Sequence, residues 1–112
     1  MSENLFPRLL TLRNLGGDYV DVVADATDDG LFAIHRSIGE TQKTFWTVTH
    51  IPTLTAIASW CFNREEALTT LRTLRQMPWS WQTDDLKFLR LQLDAAPPGV
   101  RQKMTSLIAG VA

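Results

Sequence analysis

The sequence predicts an α+β fold: an antiparallel meander of four or five strands, one long helix packed on one face, and C-terminal helical segments completing that layer. Three observations carry the prediction. Short runs between Arg8 and Trp60 alternate apolar and polar side chains and are punctuated by Gly, Pro and Asp. Beyond Asn63 the rhythm changes to a helical one. The connections between runs are short, which favours pairing of sequential neighbours.

The elements follow in order. Met1 to Asn4 has nothing to hold it, and Arg8 to Asn14 reads as a short strand ended by Leu15-Gly16-Gly17-Asp18. Tyr19 to Ala26 places Val20, Val22 and Ala24 on one face and Tyr19, Asp21, Val23 and Asp25 on the other. Thr27-Asp28-Asp29-Gly30 is a hairpin loop, and Leu31 to Ile38 returns with Phe32, Ile34 and Ile38 on one face. Arg36 falls on that same face, which places it near a sheet end where its head reaches water. Gly39 to Gln42 makes the next loop, Thr44 to His50 the next strand, Ile51-Pro52-Thr53 a break, and Thr55 to Trp60 the last strand.

Residues 63–77 are predicted as the long helix. Ala67, Leu68, Leu71 and Leu74 form its stripe, Asn63 caps it, Glu65 and Glu66 sit at its positive end, and Arg72 and Arg75 sit at its negative end. Pro78 stops it. Between Asp85 and Asp94 two periods compete, because Leu89, Leu91 and Leu93 alternate as in a strand. The absence of β-branched residues there favours helix. After Pro97-Pro98-Gly99, the spacing of Met104, Leu107, Ile108 and Val111 predicts a final amphipathic helix.

Composition bounds the function. With 112 residues and 45% hydrophobic content the chain fits one domain with one core. A lone cysteine, no apolar run long enough to span a bilayer and no signal-like start give the expectation of a cytoplasmic protein. The net charge of −1 argues against a general nucleic-acid binder. The charge is nonetheless uneven, about −3 up to Phe62 and about +2 from Asn63 onward.

No motif supplies strong chemistry. Asp25, Thr27, Asp29 and Gly30 match the early places of a calcium loop, but Arg36 stands where a bidentate carboxylate is needed, so a plain turn is expected. Two histidines and one cysteine fall short of a structural zinc set, and no phosphate loop is present. Neither a metal nor a cofactor is expected. His50 and Cys61 are the one pair that invites nucleophilic catalysis, yet Cys61 lies between Trp60 and Phe62, where a buried inert thiol is expected.

The remaining signals point to recognition. Arg64, Arg72 and Arg75 share one flank of the helix and, with Lys87 and Arg90, offer a basic patch to an acidic protein partner. Trp46 and Trp60 belong to the core, whereas Trp79 and Trp81 either clamp the sheet to the C-terminal segment or anchor a partner. The expected function is therefore a small non-enzymatic protein-binding module. A regulator or inhibitor of a larger complex, of the kind phage and mobile-element products often are, fits that description. A weak single-stranded nucleic-acid binder using Tyr19, Phe45 and the helix arginines is the alternative, and a small enzyme using His50 and Cys61 the next. Pairing of an exposed N-terminal edge strand offers a route to a homodimer.

Overall fold

A computed structural model describes residues 4–13, 17–38, 45–76 and 81–93 of the chain. The predicted turn at residues 15–16, the loop at 39–42, Trp79, the Pro97-Pro98-Gly99 break and the final helix lie outside the described residues, as does the side chain of Trp60.

Five strands, β1 (Leu5–Arg13), β2 (Tyr19–Thr27), β3 (Phe32–Arg36), β4 (Trp46–His50) and β5 (Thr55–Cys61), form one antiparallel sheet in sequence order. Two helices follow, α1 (Arg64–Arg75) and α2 (Leu86–Leu93). The α+β class and the meander are as the sequence predicts. The helix differs from the expectation in length: α1 has 12 residues, an ordinary helix rather than a long one.

β1 and β2 pair through nine consecutive positions, from Leu5 opposite Thr27 to Arg13 opposite Tyr19. β2 joins β3 through only two, Asp25 with Ile34 and Ala26 with Ala33. The first two strands therefore make a ribbon that extends past the rest of the sheet. Its turn into β3 is fixed by local bonds: Thr27 Oγ1 donates to Asp29 Oδ1 at 2.6 Å, Asp29 Oδ1 accepts the Leu31 N–H at 3.1 Å, and Gly30 takes φ 73° without strain.

In β3 the awkward Arg36 is resolved by its cross-strand partner. It sits opposite Trp46, is exposed, and carries its guanidinium carbon 5.8 Å from the centre of the Trp46 ring. Between β4 and β5 the register slips twice, and the extra residue opposite Val48 and Thr49 is Ile57. That slip lets Ile57 and Ala58 both enter the core, which strict alternation forbids. The β4–β5 turn closes with the Leu54 N–H donating to the Ile51 carbonyl at 3.0 Å, and it forces Leu54 to φ 53°.

α1 begins where the sequence predicts, with Asn63 Oδ1 accepting the Glu66 N–H at 2.8 Å. Its buried stripe is Ala67, Thr70, Leu71 and Leu74, and Leu68 is only half-buried. α2 is helical because Asp85 caps it: Asp85 Oδ1 accepts the N–H of Lys87 at 3.0 Å and of Phe88 at 3.4 Å. This cap decides between the two competing periods. Leu89 goes inward while Leu91 faces water.

The core lies in two clusters. Phe32, Ile34, Val48, Ile57, Leu71, Leu74, Trp81 and Leu89 pack between the sheet and the helices. Leu10, Leu12, Ala24, Ala26, Ala33 and Ile51 form a second cluster. Each leucine fully buried here contributes about 1.5–3 kcal/mol of transfer free energy.

Candidate protein-interaction surface

The two C-terminal tryptophans and five basic residues singled out by the sequence do not behave as one group. Trp79 lies outside the described residues. Trp81 is turned into the core and is 6% exposed, with its ring 5.1 Å from that of Phe32 in an edge-on contact. Its indole Nε1 donates to the Leu74 carbonyl at 3.1 Å, so it ties the stretch before α2 to the last turn of α1. The clamping role is the one it takes.

Two of the arginines are committed within the chain. Arg64 gives Nε and Nη2 to Asp25 Oδ2 at 3.3 and 3.2 Å, an exposed pair that contributes little. Arg75 is held more firmly. Its Nη1 donates to Asp29 Oδ2 and its guanidinium carbon stands 5.4 Å from the Phe32 ring centre. Burial by itself raises the Asp29 pKa, but bonds from Arg75, Thr27 and the Leu31 N–H outweigh it and hold the carboxyl at about 2, below its usual 3.8. The intramolecular partners of the helix arginines thus come from β2 and the β2–β3 turn.

The other three cations are not spent in this way. Arg72 on α1 and Arg90 on α2 each bury the Nε atom without a hydrogen-bond partner among the described residues. Lys87, one turn before Arg90, is exposed, and its ammonium has no bond to a described residue. Arg72 adjoins Leu71 and Arg90 adjoins Leu89, and both leucines enter the same core cluster. Among the described residues neither buried Nε finds an acceptor.

The residues considered for chemistry are used structurally. His50 Nε2 donates to the Trp81 carbonyl at 2.6 Å, so Nδ1 accepts, and Thr53 Oγ1 is its partner at 2.8 Å. His35 adopts the opposite tautomer: Nδ1 donates to the Arg36 carbonyl at 2.8 Å and Nε2 accepts from Thr49 Oγ1 at 2.7 Å. Burial pushes both imidazoles below their usual 6.5, against the opposing effect of those carbonyls. Cys61 is buried with Sγ 3.8 Å from Thr70 Oγ1. In the β4–β5 pairing Cys61 lies opposite Trp46 and His50 opposite Thr55, at the two ends of the hairpin, a separation of about 14 Å along the strands. The structure does not bring His50 and Cys61 together.

Among the described residues no group of three metal-ligating side chains converges, and no helix is long and apolar enough to cross a membrane. Asp29, in the fifth place of the calcium-like run, is turned to Arg75 and to its own hairpin. The chain matches no family model, no curated protein and no solved structure.

One surface carries no sequence motif. Leu9 and Val23 are direct cross-strand neighbours and both face water, with Tyr19 on the same side. Its signal in the sequence was Val23, an apolar residue on the strand face that otherwise carries Asp21 and Asp25.

Proposed function

We propose that this protein is a small non-enzymatic protein-binding module, a regulator or inhibitor of a larger complex, and that it grips an acidic segment of its partner with Arg72, Lys87 and Arg90. One observation carries the reading: Arg72 and Arg90 each keep a desolvated Nε donor without an acceptor among the described residues, while Arg64 and Arg75 are bonded to Asp25 and Asp29. A buried donor left unmade costs about 1–3 kcal/mol, so turning the guanidinium outward onto a partner's carboxylate removes that cost and adds a charge-assisted bond.

The test is fluorescence anisotropy of a labelled glutamate-rich peptide, with labelled oligothymidylate as the second probe. The expected result is saturable binding of the peptide, weakened at least ~10-fold in an Arg72→Gln, Lys87→Gln, Arg90→Gln variant and changed less than ~3-fold by Arg64→Gln. No peptide binding, or binding indifferent to the triple change, overturns the acidic-partner reading. Tighter binding of the oligonucleotide, lost steeply with salt, turns the assignment to single-stranded nucleic acid.

A further inference from the structure

Trp81 is a fixed post, and α2 hangs from it. The indole is 6% exposed, its Nε1 donates to the Leu74 carbonyl, its own carbonyl accepts His50 Nε2, and its ring stands against Phe32. Beyond it the chain runs through Gln82, Thr83, Asp84 and Asp85, all at least partly exposed, before α2 begins at Leu86.

α2 itself is held lightly. It has 8 residues, fewer than a helix needs to persist alone in water, so it exists by docking. The amide bonds that start it all return to Asp85: Lys87 and Phe88 donate to its Oδ1 and Leu89 to its carbonyl. Bonds so local form with the helix and do not tie it to the body of the fold. Among its described side chains only Leu89 is fully inside, whereas Phe88 is 43% exposed and Leu91 71%. α1, by contrast, sinks Ala67, Leu71 and Leu74 and stands on β3, β4 and β5.

Against the gain from Leu89 stands the next residue, Arg90, whose buried Nε finds no acceptor among the described residues. Burying one leucine and stranding one charged donor are effects of the same size and opposite sign. Docking therefore lies close to balance. Release of α2 returns Arg90 to water while Trp81 keeps its place.

We propose that α2 is a strap hinged at residues 82–85, which opens while the rest of the fold stays intact and closes when an acid is bound. Closure by an acid rests on the acidic-partner reading above. Lys87 and Arg90 stand three positions apart, so the docked, helical strap presents both on one side and the open strap does not. An acid that draws the Arg90 guanidinium outward removes the penalty of the docked state and leaves the open state as it was. The ligand thus shifts the balance toward closure.

Amide hydrogen exchange of the full chain, read residue by residue by NMR, tests both steps. The Leu89 amide should be at least ~100-fold less protected than the slowest amides of β3 and β4, with a weaker urea dependence, as in an opening smaller than global unfolding. Arg90→Met removes the stranded donor and should slow Leu89 exchange at least ~5-fold. The labelled glutamate-rich peptide, at a concentration that anisotropy shows to be saturating, should slow it at least ~5-fold in the parent. Leu89 protected as well as the sheet, or no slowing in Arg90→Met, overturns the strap. A bound peptide that leaves Leu89 exchange unchanged overturns closure by an acid, with the acidic-partner reading still standing. Absence of peptide binding overturns that reading and closure together, and the first two measurements still decide the strap.

Discussion

His50 and Trp81 hold each other across 31 positions of sequence: the imidazole Nε2 donates to the Trp81 carbonyl at 2.6 Å, and the ring centres lie 5.9 Å apart. Because Trp81 Nε1 also donates to the Leu74 carbonyl, one residue joins β4, α1 and the approach to α2. Trp81→Phe keeps most of the ring but orphans that carbonyl, and should lower unfolding free energy by about 1–2 kcal/mol. His50→Ala removes both ring bonds and leaves a cavity, for a loss of about 2–4 kcal/mol. Urea denaturation of the two variants and of their double measures the coupling. Strict additivity would show that the two residues do not act as a unit.

The two histidines set one pH window and Asp29 another. Folded His35 and His50 take up a proton less readily than the unfolded chain, whose histidines titrate near 6.5. The unfolded state therefore binds more protons below that value, and stability falls as pH drops through 6.5. Asp29 acts in the same direction at lower pH: its folded pKa of about 2 lies below the unfolded 3.8, so its contribution is full above about pH 4 and disappears toward pH 2. With the group one-third exposed, screening leaves that contribution at about 1 kcal/mol. Urea midpoints from pH 7.5 down to pH 2 should show both declines. An Arg75→Met variant should flatten the lower one, and a His35→Gln, His50→Gln double variant the upper one.

The elements of the fold were legible because each is written locally. Asn63 and Asp85 announce the starts of both helices, and Tyr19 to Ala26 shows its two faces through simple alternation. What stayed hidden depends on distance in sequence. Asp25 and Asp29 read as turn and strand acids, and nothing near them indicates that Arg64 and Arg75 lie within reach 39 and 46 positions later. The same holds for Trp81, whose core position is decided by His50 and Leu74. Ile57 was masked for another reason: a register slip in β4–β5 breaks the alternation from which facing is read.

Leu54 occupies a left-handed conformation at φ 53° with a side chain 41% exposed. Leucine pays about 1 kcal/mol or more for that region, whereas asparagine tolerates it. Leu54→Asn should stabilise the β4–β5 turn by about 0.5–1 kcal/mol, less what the partly buried leucine loses in packing. Thermal denaturation checks the sign. A lowered midpoint would mean that the packing of Leu54 outweighs the relief of its backbone.

Arg72 provides the sharpest separation between stability and recognition. Its Nε is dry and unbonded among the described residues, so the folded state bears a desolvation cost that no described residue offsets. Arg72→Met keeps an unbranched side chain of good helix propensity and removes the polar atom. If the arginine is retained for binding an acid, the variant should gain about 0.5–1.5 kcal/mol in urea denaturation and at the same time lose affinity for the glutamate-rich peptide. A structural arginine behaves otherwise: its loss destabilises the chain and leaves peptide affinity unchanged. The two measurements on one variant therefore move in opposite directions under the two roles, and a gain in stability with unaltered binding removes Arg72 from the surface.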